Sequence, residues 1–305
     1  MAKAGGIARK LIKGLLLIGL VLAAMGLAGA WYVGAWNLIF PNTQHDTQAP
    51  SLPGELQEPA ILVFSKTNGF RHREGIAGGL LALQGIANEH GWSIYSTENG
   101  AVFNRQQLGR FSAVVFLSAT GDMLNEAQEL AFRQWLEAGG SWLGIHAAGD
   151  GSHKGWSWYV ENLIGAEFKA HILGPQFQVA KAEVEQRDHP AMRGLPVSWE
   201  HEEEWYSWEQ SPRPHGFTIL VTVDEDSYSP MIKGPGIERD LRMGDHPVVW
   251  SNCVGEGKTL YSALGHKAEA FEQTQHPQLL SSGLAWLLDD DQACESFAGP
   301  GPVSQ

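Results

Sequence analysis

Apolar residues fall into three kinds of run along this chain. Residues 14–41 form an uncharged stretch around LLLIGLVLAAMGLAGAWYVGAW, and about 20 such residues span a bilayer as a helix. Short apolar runs follow at AILVFS (60–65), WSIYST (92–97), SAVVFLS (112–118) and SWLGIH (141–146). Their length and their polar or glycine borders predict buried strands. Between them, residues 74–91 carry Ile76, Leu80, Leu83 and Ile86 at helical spacing and end at Gly91. Residues 124–140 read as a second helix, with Asn125 as cap, Leu130, Trp135 and Leu136 as its apolar positions, and a Gly-Gly stop.

Strand–helix alternation of this kind predicts an α/β fold, a mostly parallel sheet with flanking helices, here preceded by one transmembrane helix. The second half is mixed, with strands expected at 177–185, 217–223, 246–254 and 258–264 and a closing helix at 276–290. The organisation expected is a basic N-terminus and anchor over 1–41, a polar Pro-rich linker over 42–59, one domain over 60–290 and a flexible tail over 291–305.

Charge refines the first segment. Lys3, Arg9, Lys10 and Lys13 precede the apolar run, and Trp31, Tyr32 and Trp36 follow it. Basic residues hold their side in the cytoplasm, and aromatics mark the far interface. The expectation is a single pass through the inner (cytoplasmic) membrane with the domain outside. The competing reading is a signal peptide cut near LAGA (27–30), releasing the domain to the periplasm. The part after the anchor keeps 17 of the 21 basic residues against 34 acidic ones. That balance argues against nucleic acid as a partner. Cys253 and Cys294 would be permitted a disulfide outside the cytoplasm. Two buried free thiols are the plainer expectation, because Cys294 lies in the tail.

Parallel sheets bind ligands at the carboxyl ends of their strands. The loops KTNGFRH (66–72), ATGDMLN (119–125) and HAAGDGSHKGW (146–156) should share that rim. They bring His72, Asp122 and His146 into consideration. His171 after EFKA, His246 in GDHP and His266 closing SALGH join them. In HEEEWYSW, Glu204 beside Trp205 is a candidate pocket carboxylate, with Glu202 and Glu203 expected in solvent. Imidazole serves as a general base near neutral pH. We therefore expect His146, His72 and His266 as catalytic groups, and Glu204, His246, His171, Asp122 and Trp205 as substrate-binding ones. Should a helix start after His146, its first amides would suit an oxyanion. No cofactor is required by the pattern. A His/Glu cluster can also hold a divalent metal such as zinc, although no compact metal motif is present. No G-x-S-x-G occurs, which argues against a serine hydrolase.

In order along the chain, KTNGFRH, LSATGD, GIHAAGD, EFKAH, EEWYSW, GDHPVVW and GEGKTLYSALGH resemble the ThuA-like (trehalose utilisation) family over residues 60–289. The resemblance implies a class I glutamine amidotransferase-like fold, with His146 standing where that fold carries its catalytic Cys. It also implies carbohydrate metabolism and a small sugar substrate. A 3-keto sugar would suit histidine chemistry, since the ketone acidifies C2–H and the glycosidic oxygen can then leave by elimination. The alternatives are a carbohydrate-binding protein without catalysis and a metal-dependent hydrolase of another polar substrate.

Overall fold

The computed structural model describes residues 2–234, 236–292 and 294, without the side chains of residues 2–9. Its strands in chain order are β1 (Ala60–Phe64), β2 (Ser93–Thr97), β3 (Ala113–Leu117), β4 (Ser141–Ile145), β5 (Phe168–His171), β6 (Gln178–Val184), β7 (Ser198–Glu203), β8 (Tyr206–Trp208), β9 (Thr218–Val223), β10 (Met231–Gly234), β11 (Ile237–Asp240), β12 (Pro247–Val254) and β13 (Gly257–Ser262). Nine of them form one sheet in the order β2-β1-β3-β4-β13-β12-β9-β6-β7. The β2-β1-β3-β4-β13 half is parallel, and the rest is antiparallel.

The parallel half forms because its strands are apolar on both faces. Every residue of β1, β3 and β4 is buried, as expected when helices cover a sheet on both sides. Phe116 and Leu117 are neighbours on β3 and so point to opposite faces. Phe132 of helix Glu126–Glu137 stacks on Phe116 at 5.3 Å. Gly79 of helix Arg73–His90 packs on Leu117, so the two helices lie on opposite faces. Helix Glu126–Glu137 starts in a capping box, Asn125 accepting from Gln128 N–H while the Gln128 side chain returns the bond. Its core contacts are Phe132 and Leu136, whereas Leu130, expected on that face, is 52% exposed.

The carboxyl ends of the parallel strands are level. Leu117, Ile145 and Ser262 stand in register across β3, β4 and β13. Each step from β13 through β12, β9 and β6 to β7 is antiparallel, so β7 again runs in the direction of β13. Its carboxyl end, Glu203, therefore emerges at the same rim. Two small ribbons, β5–β8 and β10–β11, were not legible in the apolar pattern.

Helix Ala2–Tyr32 contains Lys10–Tyr32, 23 residues with an 18-residue window of mean hydropathy 2.3, long and apolar enough to cross a membrane by length and composition. Its end touches the domain: Arg71 N–H donates to the Gly34 carbonyl at 2.9 Å, and the Arg73 guanidinium lies 4.6 Å above Trp31. The stretch expected as a free spacer is tied down along the domain. Lys66 Nζ lies 2.5 Å from Asp46 Oδ2, Gln128 donates to the Asp46 carbonyl, and Arg110 donates to the Pro53 carbonyl. Its polar and proline-rich composition hid these contacts, because they are made by its backbone carbonyls and one carboxylate.

Cys253 and Cys294 are joined in a disulfide, which corrects the expectation of free thiols. The expected tail is tied to the domain at that point. Residues 293 and 295–305, to which the flexible-tail expectation also applies, lie outside the described residues.

Candidate functional site

The site is assembled at the rim from three strand ends and one edge strand. His72 closes the loop after β1 and precedes helix Arg73–His90. His146 is the first residue after β4, with φ +52. That left-handed conformation is uncommon for a residue with a Cβ and marks a strained elbow. Tyr261 holds the elbow by donating to the His146 carbonyl at 2.7 Å, and Tyr159 by donating to the Ala148 carbonyl at 2.6 Å. The chain then makes a single 3-10 turn, His146–Gly149, rather than a helix, so the expected row of helix amides for an oxyanion is not there. His266 follows β13 in the segment Ala263-Leu264-Gly265-His266.

Gly75 brings two of these loops together. A Cβ there would lie 2.4 Å from the Gly265 carbonyl oxygen and 2.6 Å from that of His266. Only glycine lets the helix start this close to the His266 loop. The second and third rim loops are also laced. Gly121 N–H donates to Ser152 at 2.7 Å, and His153 Nε2–H donates to the Ala119 carbonyl at 3.0 Å. Asp150 accepts from Ser152 N–H at 2.8 Å and thus serves this loop.

The side chains of His72, His146, Glu204 and His266 converge, each presenting one ligand-type atom within 4.8 Å of the others. His146 donates from Nδ1 to the Ala263 carbonyl at 2.9 Å. A carbonyl only accepts, so Nε2 is left with its lone pair. That lone pair faces the Tyr206 hydroxyl at 3.0 Å, His266 Nδ1 at 3.1 Å and Glu204 Oε2 at 3.7 Å. His266 Nδ1 lies 2.8 Å from Glu204 Oε2. The other Glu204 oxygen meets His171 Nδ1 at 3.0 Å and accepts from Gln176.

Burial grades these groups. His72, His146 and Glu204 are buried, while the side chains of His266 and His171 are 16% and 30% exposed. Burial holds the His146 pKa well below the ordinary imidazole range, and the nearby His72 and His266 add to that. Burial likewise depresses His72, with His266 and His171 contributing. Burial also pushes Tyr206 well above the usual phenol range, reinforced by Glu204, so it stays a hydroxyl donor at neutral pH.

Three expected binding residues are placed elsewhere. His246 is buried behind Tyr206, between its carbonyl (2.7 Å) and Glu225 (2.8 Å), where it positions Tyr206 rather than meeting a ligand. Trp205 is 1% exposed, with its indole N–H on the Gln178 carbonyl. Asp122 lies on the rim but pairs with His45 at 2.9 Å, beside a cleft of about 350 Å³ outside the cluster. The aromatic run Trp205, Tyr206 and Trp208 is core, not an exposed sugar platform.

Glu203, expected in solvent, is 1% exposed. It accepts from the backbone N–H groups of Gly265 (2.6 Å), Glu204 (2.9 Å) and His266 (3.3 Å). Its burial raises its pKa, but His201 and these amides outweigh that and keep it below the usual carboxylate range. It is the positioning residue for the His266 loop. The signal was present: β7 alternates, with Trp199, His201 and Glu203 inside and Glu200 and Glu202 outside.

Comparison with known proteins agrees with this architecture. The family model for ThuA, described as trehalose utilisation, matches residues 60–287. The chain belongs to the ThuA family. Among solved structures, a putative ThuA-like protein from Bacteroides uniformis is 23% identical, with a TM-score of 0.66, covering 81% of this chain and 98% of that one. A putative ThuA-like protein from Parabacteroides merdae is 17% identical, with a TM-score of 0.59, covering 80% and 97%. At these identities the two share the ThuA-like fold with this chain. A search of curated proteins gave no match.

Proposed function

We propose that this ThuA-family protein is an enzyme that processes an oxidised glycoside outside the cytoplasm, tethered by helix Lys10–Tyr32. The family's trehalose-utilisation description supports a carbohydrate substrate. The basic residues before the helix support the orientation. The observation that carries the reading is the convergence of His72, His146, His266 and Glu204 at the carboxyl ends of the strands.

We assign the roles among the histidines by exposure. His146 has no exposure, and its Nε2 already faces the Tyr206 hydroxyl. His171 is the more exposed ring, and its Nδ1–H donates to the Ile172 carbonyl at 3.0 Å with Glu204 equally close, leaving its other nitrogen to take a proton. On a 3-keto glycoside, His171 removes the C2 proton and the electron pair moves onto the ketone oxygen as an enolate. The pair then returns to expel the glycosidic oxygen from C1, which leaves as an alcohol after taking a proton. His266, held by Glu204, lies on the accessible side where the oxyanion develops. The Tyr206 hydroxyl and His146 hold each other behind it.

The test is incubation of full-length protein in detergent with a 3-keto-disaccharide, followed by NMR, beside His171→Ala and Glu204→Gln. Cleavage by the wild type that falls by about 10²-fold or more in both folded variants is expected. Full cleavage by His171→Ala would reassign the base. Tight sugar binding without cleavage by the wild type would favour the carbohydrate-binding alternative.

A further inference from the structure

We propose that His146, His266 and Glu204, with His72 as a fourth ligand, form a binding site for one divalent first-row transition ion of the zinc class. The inference deepens the reading above by giving that site a resident ion, and its test is independent of any sugar.

The distances fit the ion. His146 Nε2, His266 Nδ1 and Glu204 Oε2 are separated by 3.1, 2.8 and 3.7 Å. Corners of such a triangle lie about 1.9 Å from its centre, so an ion slightly above that plane reaches all three at about 2.0–2.2 Å, the span of zinc–nitrogen and zinc–oxygen bonds. Acidic clusters on surfaces offer no such enclosure, whereas these three ligands are buried or nearly so.

The protonation pattern fits as well. The His146 tautomer is fixed by its Nδ1–H bond to the Ala263 carbonyl, which aims a lone pair at the centre. Metal-binding histidines characteristically give their other N–H to a backbone carbonyl or carboxylate. Glu204 is oriented from behind by Gln176 and His171. The His266 backbone is oriented by Glu203. Without an ion, one proton on His266 Nδ1 fills the gap between Glu204 and His146. When an ion takes Nδ1, that proton moves to Nε2 and the ring stays neutral.

His72 supplies a second, independent observation. It is 6% exposed, and its Nδ1 is buried with no hydrogen-bond partner among the described residues. Its ring centre lies 4.7 Å from those of both His146 and His266. A buried polar atom left unpaired is costly, and coordination by this cluster is what the surroundings offer. Three imidazoles and one carboxylate favour zinc, iron, nickel or copper over magnesium or calcium, which take oxygen ligands. His266 and His171, with side chains 16% and 30% exposed, mark the side from which a substrate would reach the ion.

The test uses full-length protein in detergent, stripped with chelator and titrated separately with Zn²⁺ by calorimetry and with Co²⁺ by visible absorption. The expected result is one ion per chain and a Co²⁺ ligand-field band. In Glu204→Gln and His266→Asn, affinity should fall on the order of 100-fold or more, and the Co²⁺ band should change or vanish. His90→Ala, an exposed and remote histidine, should bind as the wild type does. Circular dichroism confirms that each variant is folded. No binding of either ion by folded wild type, or one-to-one binding unaltered by both cluster variants, overturns the proposal. Ion binding without keto-sugar cleavage leaves the site standing and removes the enzymatic reading.

Discussion

The two halves of the central sheet are built by different rules, and the site lies where they meet. In the parallel half, strands are apolar on both faces and hide between helices. They contribute His72 and His146 through loops that leave the carboxyl ends directly. In the antiparallel half, β7 alternates buried and exposed residues. It contributes Glu204, and Glu203 holds the His266 loop from there. The first half is a rigid platform whose chemistry sits on its rim. The second carries polar groups inward along a strand, which its hydrogen bonds to backbone amides make tolerable.

Core truncation in the first half should have the largest effect. Phe116→Ala removes a ring packed against Phe64, Phe132 and Tyr159. A loss of about 3–5 kcal/mol is expected, read by denaturant unfolding. Glu203→Gln addresses the other half. It weakens the grip on the Gly265 and His266 amides, and a stability loss of about 1–3 kcal/mol is expected. A larger proportional loss of site function should accompany it. If Glu203→Gln alters stability alone and leaves ligand affinity and turnover unchanged, its positioning role is wrong.

The smallest effect separates the halves by pH. Burial lowers His189 to about 4 and His276 to about 3, the nearby His201 adding to the latter. Both lie outside the site cluster. Each folded-state value is below the ordinary imidazole value, so the unfolded chain binds protons first as pH drops. The stability these two residues contribute is full above about 6.5 and drains as pH falls toward 3–4. His276→Gln should flatten the acid limb of a Tm-versus-pH curve without touching ion affinity. An unchanged limb would place the titrating group elsewhere.

The sequence was read best where one physical signal decided the structure. Doubly buried strands such as AILVFS, and helices with caps such as Asn125, announce themselves by composition alone. His146 at the end of a strand, followed by small residues, was equally visible. Polar burial was not. Glu203 reads as a solvent residue inside EEE until its neighbours on β7 are seen to alternate. Tyr206 reads as one aromatic among many until its hydroxyl meets His146. His246 and Trp205 carry suitable chemistry, but two backbone carbonyls and the Glu225 carboxylate occupy their polar atoms. Such partners come from distant segments, and no local pattern encodes them.

Both halves deliver their side chains to one point. Crystals of the protein as purified, measured on both sides of the zinc absorption edge, test that most directly. The result expected is an anomalous peak within about 2.0–2.2 Å of His146 Nε2, His266 Nδ1 and Glu204 Oε2. Well-ordered density with Glu204 turned away from the three histidines, and no peak between them after soaking in zinc, would contradict it.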